Sequence, residues 1–73
     1  MNTKEEVFIQ KLGARIKQLR EEKGMDQKAF AFDCDMGRTQ LYMIENGNTN
    51  PRLRTLMKIA EGLEMGVGEL LEV

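Results

Sequence analysis

The polar side chains of this sequence can form hydrogen bonds, but they lack the combinations that catalysis or metal binding requires. The chain has 73 residues, with no histidine and a single cysteine. Cys34 therefore has no imidazole to activate it as a nucleophile, and the usual zinc ligand sets cannot form. Asp33 and Asp35 supply too few oxygen ligands for a calcium loop. We accordingly expect no enzymatic activity, no cofactor and no metal, and we interpret Cys34 as a core residue.

Residues 27–46, QKAFAFDCDMGRTQLYMIEN, have the spacing of two short helices joined by a sharp turn, a helix-turn-helix. Helices that cross at a steep angle need a small residue where they touch, and Ala31 has that position. Four residues later the turn favours a positive φ, which the short polar side chain of Asp35 tolerates. The apolar residues at the expected inward positions are Phe30, Cys34, Met36, Leu41 and Ile44. This pattern is typical of domains that read DNA.

Helix signals flank this stretch. Thr3 and Glu6 have the spacing of a capping box, and a helical apolar period follows them as far as Gly24. The expected caps of the second and third helices are Asp26, Gly37 and Gly47. We predict a fourth helix over residues 52–63 and a short fifth helix over 67–72. The predicted inward face of the fourth helix consists of Leu53, Leu56, Ile59, Ala60 and Leu63.

With its flanking segments, the chain resembles the lambda-repressor-like family of DNA-binding domains, also called the Cro or XRE type. LGARIKQLREEKG is similar to the first helix of that family, IENGNTNPRLRTLMKIAEGL to its loop and fourth helix, and VGELLE to its fifth. The resemblance implies an all-α fold, a compact five-helix bundle, and a sequence-specific regulator of transcription that binds double-stranded DNA. The length allows one domain, residues 1–73.

In a helix-turn-helix the third helix lies in the major groove and presents its N-terminal, outward side chains to the bases. Here we predict base contacts from Arg38, Thr39 and Met43. The Arg38 guanidinium can donate two parallel hydrogen bonds to guanine O6 and N7, whereas Thr39 and Met43 offer apolar contact to the thymine methyl group. The alternative is that Arg38 contacts a phosphate or pairs with Asp35.

Contacts to the DNA backbone are expected near helix N-termini, where exposed amides favour an anion. The resemblance implies that Gln27, which opens the second helix, contacts a phosphate, and Lys28 adds a charge beside it. Further predicted backbone contacts are Gln40, Tyr42, Asn46, Asn48, Thr49 and Arg52. Gln40 could instead cap the start of its helix, Tyr42 could rest on the protein, and turn formation explains Asn48 equally well.

The resemblance also implies a structural role for two charged residues. Arg20 and Glu45 match positions that form a largely buried ion pair in similar proteins. Such a pair would tie the first helix to the end of the third. We therefore interpret Glu45 as structural and not catalytic.

The formal net charge is −1, but the charged residues are distributed unevenly along the chain. Residues 11–58 carry ten bases and six acids, whereas residues 59–73 carry four acids and no base. The chain thus combines a basic segment, which contains the helix-turn-helix, with an acidic C-terminal end. No apolar run is long enough for a signal peptide or a membrane helix, so we expect a cytoplasmic protein without a membrane partner.

One module of this kind buries only about 600–1,000 Å² against DNA, so two copies on a palindromic operator are expected. The candidate dimer interface is the apolar C-terminal set Met65, Val67, Leu70, Leu71 and Val73. The alternative is that these residues only close the small core.

The leading hypothesis is a homodimeric repressor or autoregulator. The runner-up is the antitoxin of a toxin–antitoxin pair, in which the acidic C-terminal surface would bind a partner protein.

Overall fold

Five helices make up most of residues 3–73, the part of the chain that this computed structural model describes; residues 1 and 2 of the predicted domain lie outside it. The helices are α1 (Lys4–Glu22), α2 (Gln27–Asp33), α3 (Arg38–Glu45), α4 (Leu53–Gly62) and α5 (Val67–Leu70). The described residues contain no strand, and the all-α prediction is confirmed. None of these helices has the length and apolar character needed to cross a bilayer.

The predicted helix starts and turns are present. The side chain of Thr3 accepts a hydrogen bond from the amide of Glu6 and the Glu6 side chain accepts one from the amide of Thr3, which completes the capping box of α1. Asp26 caps α2 by accepting from the amide of Ala29 at 2.8 Å. Asp35 adopts a φ of 55° in the turn between α2 and α3. Side-chain caps thus set the starts of α1 and α2, whereas α3 starts after Gly37 without a side-chain cap.

The core lies where the helices meet, and its largest fully buried side chains are Phe30, Ile16, Leu41, Ile44, Ile59 and Leu70. The inward residues predicted for the helix-turn-helix are all part of it: Met36 packs against this core, and the other four are buried. Because Leu70 has no exposed surface, its assignment to a dimer interface is wrong. Leu70 closes the core, as the alternative interpretation had it.

The prediction that Leu53 faces the core is also wrong, because 61% of its surface is exposed. Leu53 is the first residue of α4, and the buried residues of that helix are Leu56, Ile59 and Ala60. Helical periodicity identifies a face of a helix, but it does not show how far the neighbouring elements extend along that face. Here the core covers Leu56 but does not extend to Leu53 at the start of α4.

Gly13 allows α1 and α3 to approach closely. A Cβ atom on Gly13 would lie 2.3 Å from the carbonyl oxygen of Ile44 and 2.8 Å from that of Glu45. Both obstacles are backbone atoms, which cannot move aside as a flexible side chain would. A glycine at this position in α1 therefore fixes the C-terminal end of α3 against the first helix.

Candidate nucleic-acid interface

The outward side of α3 is polar and accessible. Arg38, Thr39 and Gln40 are exposed at its N-terminal end, and Tyr42 and Met43 are exposed by 50% and 37%. Leu41 and Ile44, on the opposite side, are buried. The helical repeat thus divides α3 into a core side and an outward side, and the outward side includes every residue for which we predicted a base contact.

Arg38 is available for an external partner. Asp35, its alternative partner, instead has its Oδ2 atom 3.6 Å from the Nζ atom of Lys58. Within residues 3–73 no ion pair joins Arg38 to an acidic side chain. The Arg38 side chain is therefore exposed in the first turn of α3 and is not held by an ion pair within these residues.

The C-terminal end of α3 contains the buried ion pair that the resemblance implied. Arg20 donates from Nε to Glu45 Oε2 at 2.7 Å and from Nη2 to Glu45 Oε1 at 3.1 Å. A third donor, Nη1, bonds the carbonyl oxygen of Met25 at 2.7 Å. The side chains of Arg20 and Glu45 are only 7% and 1% exposed. The hydrogen bond to Glu45 raises the pKa of Arg20 despite the opposing effect of burial.

Gln27 joins the same network. Its Nε2 atom donates to Glu45 Oε1 at 3.0 Å, so one carboxylate connects α1, α2 and α3. An amide nitrogen carries two protons, and this bond uses one of them. Gln27 is half-buried at the first position of α2, and the second proton of its side-chain amide is not used in that bond. No sequence pattern predicts this contact, because it depends on how α2 crosses α3.

A concave surface lies between α2 and the start of α3. Lys28 and Arg38 line it together with Met36 and Phe32, whose side chain is 83% exposed. No sequence pattern pointed to a surface role for Phe32. The structure therefore brings the predicted backbone-contacting Lys28 close to the predicted base-contacting Arg38 on one continuous surface.

A second shallow depression connects α3 with the loop that follows it. It is lined by Gln40, Thr49, Arg52 and Thr55, among other residues. Gln40 makes no hydrogen bond to the start of α3 in the described chain, so its predicted alternative role as a cap is not observed. Thr55, which lies in α4 beyond the loop, was not predicted to line this surface. The only sequence signal was its position three residues after Arg52, which places the two side chains on neighbouring positions of a helix.

The asparagines of this region differ in their contacts. Asn46 donates from Nδ2 to the carbonyl oxygen of Tyr42 at 2.8 Å, which satisfies an acceptor at the C-terminal end of α3. Asn48 is exposed, and its backbone amide bonds the carbonyl oxygen of Met43 at 2.9 Å. Asn46 thus has a local structural role, whereas the side chain of Asn48 extends from the loop.

Cys34 is chemically protected. Its side chain is 2% exposed, and burial raises the pKa of its thiol to about 11. The reactive thiolate is therefore scarce at neutral pH. Cys34 serves as a small core residue, as predicted.

Comparison with known proteins identifies the family. A family model described as Helix-turn-helix matches residues 16–70. The chain belongs to this helix-turn-helix family. The match covers all of α2 and α3 and confirms the resemblance to the lambda-repressor-like type.

Several relatives of this helix-turn-helix chain have regulatory names. Control protein C.MunI of a Mycoplasma species is 41% identical over 61 residues, which cover 82% of each chain. The ImmF control region 10 kDa protein of Bacillus phage phi105 is 42% identical over 65 residues, covering 86% of this chain and 72% of the relative. The names describe control proteins, and they favour a regulator over the antitoxin alternative.

The fold also matches a solved structure. The restriction-modification controller protein C.AhdI from Aeromonas hydrophila superposes with a TM-score of 0.82 at 32% identity, covering 85% of this chain and 94% of that chain. The five-helix arrangement of this protein is therefore shared with a controller protein, over almost the full length of that controller protein.

Proposed function

We propose that this protein binds a palindromic operator as a homodimer and represses transcription by occupying it. It is a DNA-binding transcriptional regulator of the helix-turn-helix family. The observation that carries the proposal is the division of α3, whose outward side bears polar side chains while its inward side is anchored in the core. Since its ligand is DNA, we assign the protein to the cytoplasm.

Base reading is assigned to the outward side of α3. A helix lying in the major groove brings its N-terminal residues to the base edges, and Arg38 is exposed in the first turn. Its planar guanidinium matches guanine O6 and N7. Thr39 and Met43 supply methyl groups for thymine on the same exposed side. Arg38 would therefore contribute most of the discrimination.

Backbone contacts are assigned to both ends of the outward surface. The second amide proton of Gln27 is directed to a phosphate while the first holds Glu45, and Lys28 adds a positive charge one residue later. At the other end, exposed Asn48 and Arg52 follow α3 in the chain.

The remaining predicted backbone contacts are Gln40, Tyr42, Asn46 and Thr49, each lying along α3 or the loop after it. Asn46 contributes least, because its amide already bonds Tyr42. These contacts would set the register of the protein on the duplex without selecting a sequence.

The dimer interface is assigned to the outer surface of α4 and the C-terminal end. Of the predicted set, Met65, Val67 and Leu71 are half-buried and Val73 is 43% exposed. Met57, which is 54% exposed, lines one concavity with Met65 and Val67. Leu53 lies one turn before Met57 on the same side of α4, so the exposed apolar surface extends toward the α3–α4 loop.

The acidic residues of this region weigh against close contact of two copies, but one of them is partly neutralised. Glu61, Glu64 and Glu69 line the same concavity as Met57. Glu64 accepts a hydrogen bond from Lys23 Nζ at 2.8 Å, which lowers its pKa. The interface therefore uses the apolar residues at its centre, with the carboxylates at its hydrated rim.

Selection of bound duplexes from a random DNA library tests this function. The selected pool is tested again at low and near-physiological salt, because phosphate-driven affinity falls steeply as salt rises. We expect an enriched palindrome with half-sites about 10 bp apart that is still bound at the higher salt. Enrichment of a single asymmetric site would contradict the homodimer, and no enrichment at either salt would contradict sequence-specific binding.

A further inference from the structure

One arginine of the first helix holds the backbone of the last helix. Arg15 donates from Nε to the carbonyl oxygen of Leu70 and from Nη2 to that of Glu69, both at 3.2 Å. Arg15 is half-buried in α1, and the two carbonyls end α5. A contact between residues so distant in sequence joins the start of the domain to its C-terminal end.

The chemistry of this contact suits the end of a helix. The last carbonyls of a helix lack partners within it and carry partial negative charge, which a cation stabilises. The rigid fork of a guanidinium can bond two neighbouring acceptors at once, which a lysine ammonium does less well. The carbonyl oxygen of Glu69 also accepts from the amide of Glu72 at 3.2 Å, whereas Arg15 is the described donor to the carbonyl oxygen of Leu70. Arg15 therefore supplies a charge at the end of α5 and a partner for its last carbonyl.

Helix α5 depends on such support because it has only four residues, Val67–Leu70. A helix of this length is unstable without tertiary contacts. It is held by the buried side chain of Leu70, by Val67 and Leu71, which pack against the core, and by the two hydrogen bonds from Arg15. A second tie, from Lys23 Nζ to the carbonyl oxygen of Gly62 at 3.2 Å, holds only the preceding turn.

We infer that Arg15 is a positioning residue for the dimer interface. By fixing the end of α5, it holds Val67, Leu71 and Val73 in the arrangement that a second copy of this chain meets. Arg15 itself need not touch the partner. This inference rests on the homodimer of the proposed function. It adds that the strength of dimerisation depends on Arg15, a residue outside the apolar surface.

Sedimentation of the full chain across a range of concentrations tests the inference. In Arg15→Ala we expect the dimer dissociation constant to rise about tenfold, because the end of α5 must then be ordered as the two copies associate, and about 1.4 kcal/mol of ordering cost corresponds to that change. Arg15→Lys keeps the charge but not the fork, so it restores only part of the loss. Lys17→Ala, which removes the same charge from an exposed position of α1, leaves the constant unchanged.

Two further readouts separate positioning from general destabilisation. In Arg15→Ala the dilute monomer should lose less free energy of thermal unfolding than dimerisation loses, and binding of monomer to a random-sequence duplex at low salt should not change. Equal losses of monomer stability and of dimerisation, in Arg15→Lys as well as Arg15→Ala, would overturn the inference.

The other outcomes are distinguishable. A wild-type chain that stays monomeric at every concentration would contradict the homodimer and the inference together. A wild-type dimer whose dissociation constant is the same in Arg15→Ala would contradict only the role of Arg15.

Discussion

The two sides of α3 differ in what satisfies their polar groups. On the inward side, the Glu45 carboxylate accepts hydrogen bonds from Arg20 and Gln27 while being almost fully buried. On the outward side, Arg38 is exposed and forms no ion pair within the described residues. Glu45 is the last residue of this eight-residue helix and Arg38 is the first. The inward side is therefore fixed by the protein at the C-terminal end, and the outward side is open to a ligand at the N-terminal end.

This difference separates two kinds of function in one element. Contacts on the inward side set the orientation of α3 relative to α1 and α2, so their loss should reduce stability. Contacts on the outward side contribute little to the fold, so their loss should affect DNA binding alone. Substitutions on the two sides of α3 should therefore have separable effects on stability and on DNA binding.

Replacement of Glu45 by alanine should give the largest loss of stability. The change leaves the buried Arg20 guanidinium without its partner, which costs on the order of 3–5 kcal/mol of unfolding free energy. Urea denaturation measures this loss. Asp33→Ala, which removes an exposed carboxylate from the end of α2, is the matched control, with an expected change within about 0.5 kcal/mol. A loss below about 1 kcal/mol in Glu45→Ala would show that the pair does not orient α3 as proposed.

Gly13→Ala should destabilise the inward side by a steric route. The new Cβ atom would meet the carbonyl oxygen of Ile44 at 2.3 Å, and overpacking of this kind costs about 1–3 kcal/mol. Gly68→Ala, where nothing lies within 4 Å of the added atom, should be neutral or stabilising. Thermal unfolding of the two variants compares them directly. Equal melting temperatures would mean that α1 and α3 separate more easily than the structure indicates.

Arg38→Ala should leave stability unchanged and relax base preference at one position in each half-site. The expected loss of discrimination is about 1–3 kcal/mol at that position. Duplex selection with the variant gives the preference, and urea denaturation gives the stability. If the selected motif stayed the same, Arg38 would be a backbone contact at most.

Gln27→Ala should have the smallest effect, and it should lower both DNA affinity and stability. Loss of the phosphate contact weakens binding to all sequences alike, by about 1 kcal/mol, and loss of the bond to Glu45 lowers stability by a similar amount. Titration of selected and unrelated duplexes measures the first effect. Gln18→Ala, a glutamine change in α1, should leave both affinities unaltered. A loss confined to one sequence would assign Gln27 to base reading.

The parts of the fold that depend on neighbouring residues could be predicted from the sequence. The capping box of Thr3 and Glu6, the cap of Asp26 and the positive φ of Asp35 are local, and all are present. The outward position of Arg38 follows from helical periodicity once the helix start at Gly37 is known.

Apart from the Arg20–Glu45 ion pair, which the family resemblance implied, the parts that depend on the meeting of distant elements could not be predicted. The hydrogen bond of Gln27 to Glu45, the close approach at Gly13 and the bonds of Arg15 to α5 join separate helices. The error at Leu53 has the same origin, because exposure depends on where the neighbouring helices end. Sequence pattern identifies the face of a helix, and packing decides which residues of that face are covered.

We propose that the outward side of α3 reads bases in the major groove through Arg38. The most direct test combines a change in the protein with a change in the DNA, by replacing single guanines of the selected operator with 7-deazaguanine, which lacks the N7 acceptor. We predict that one such replacement in each half-site weakens binding of the wild-type protein and has no further effect on Arg38→Ala. Equal weakening of both proteins at every guanine would contradict a direct contact between Arg38 and the bases.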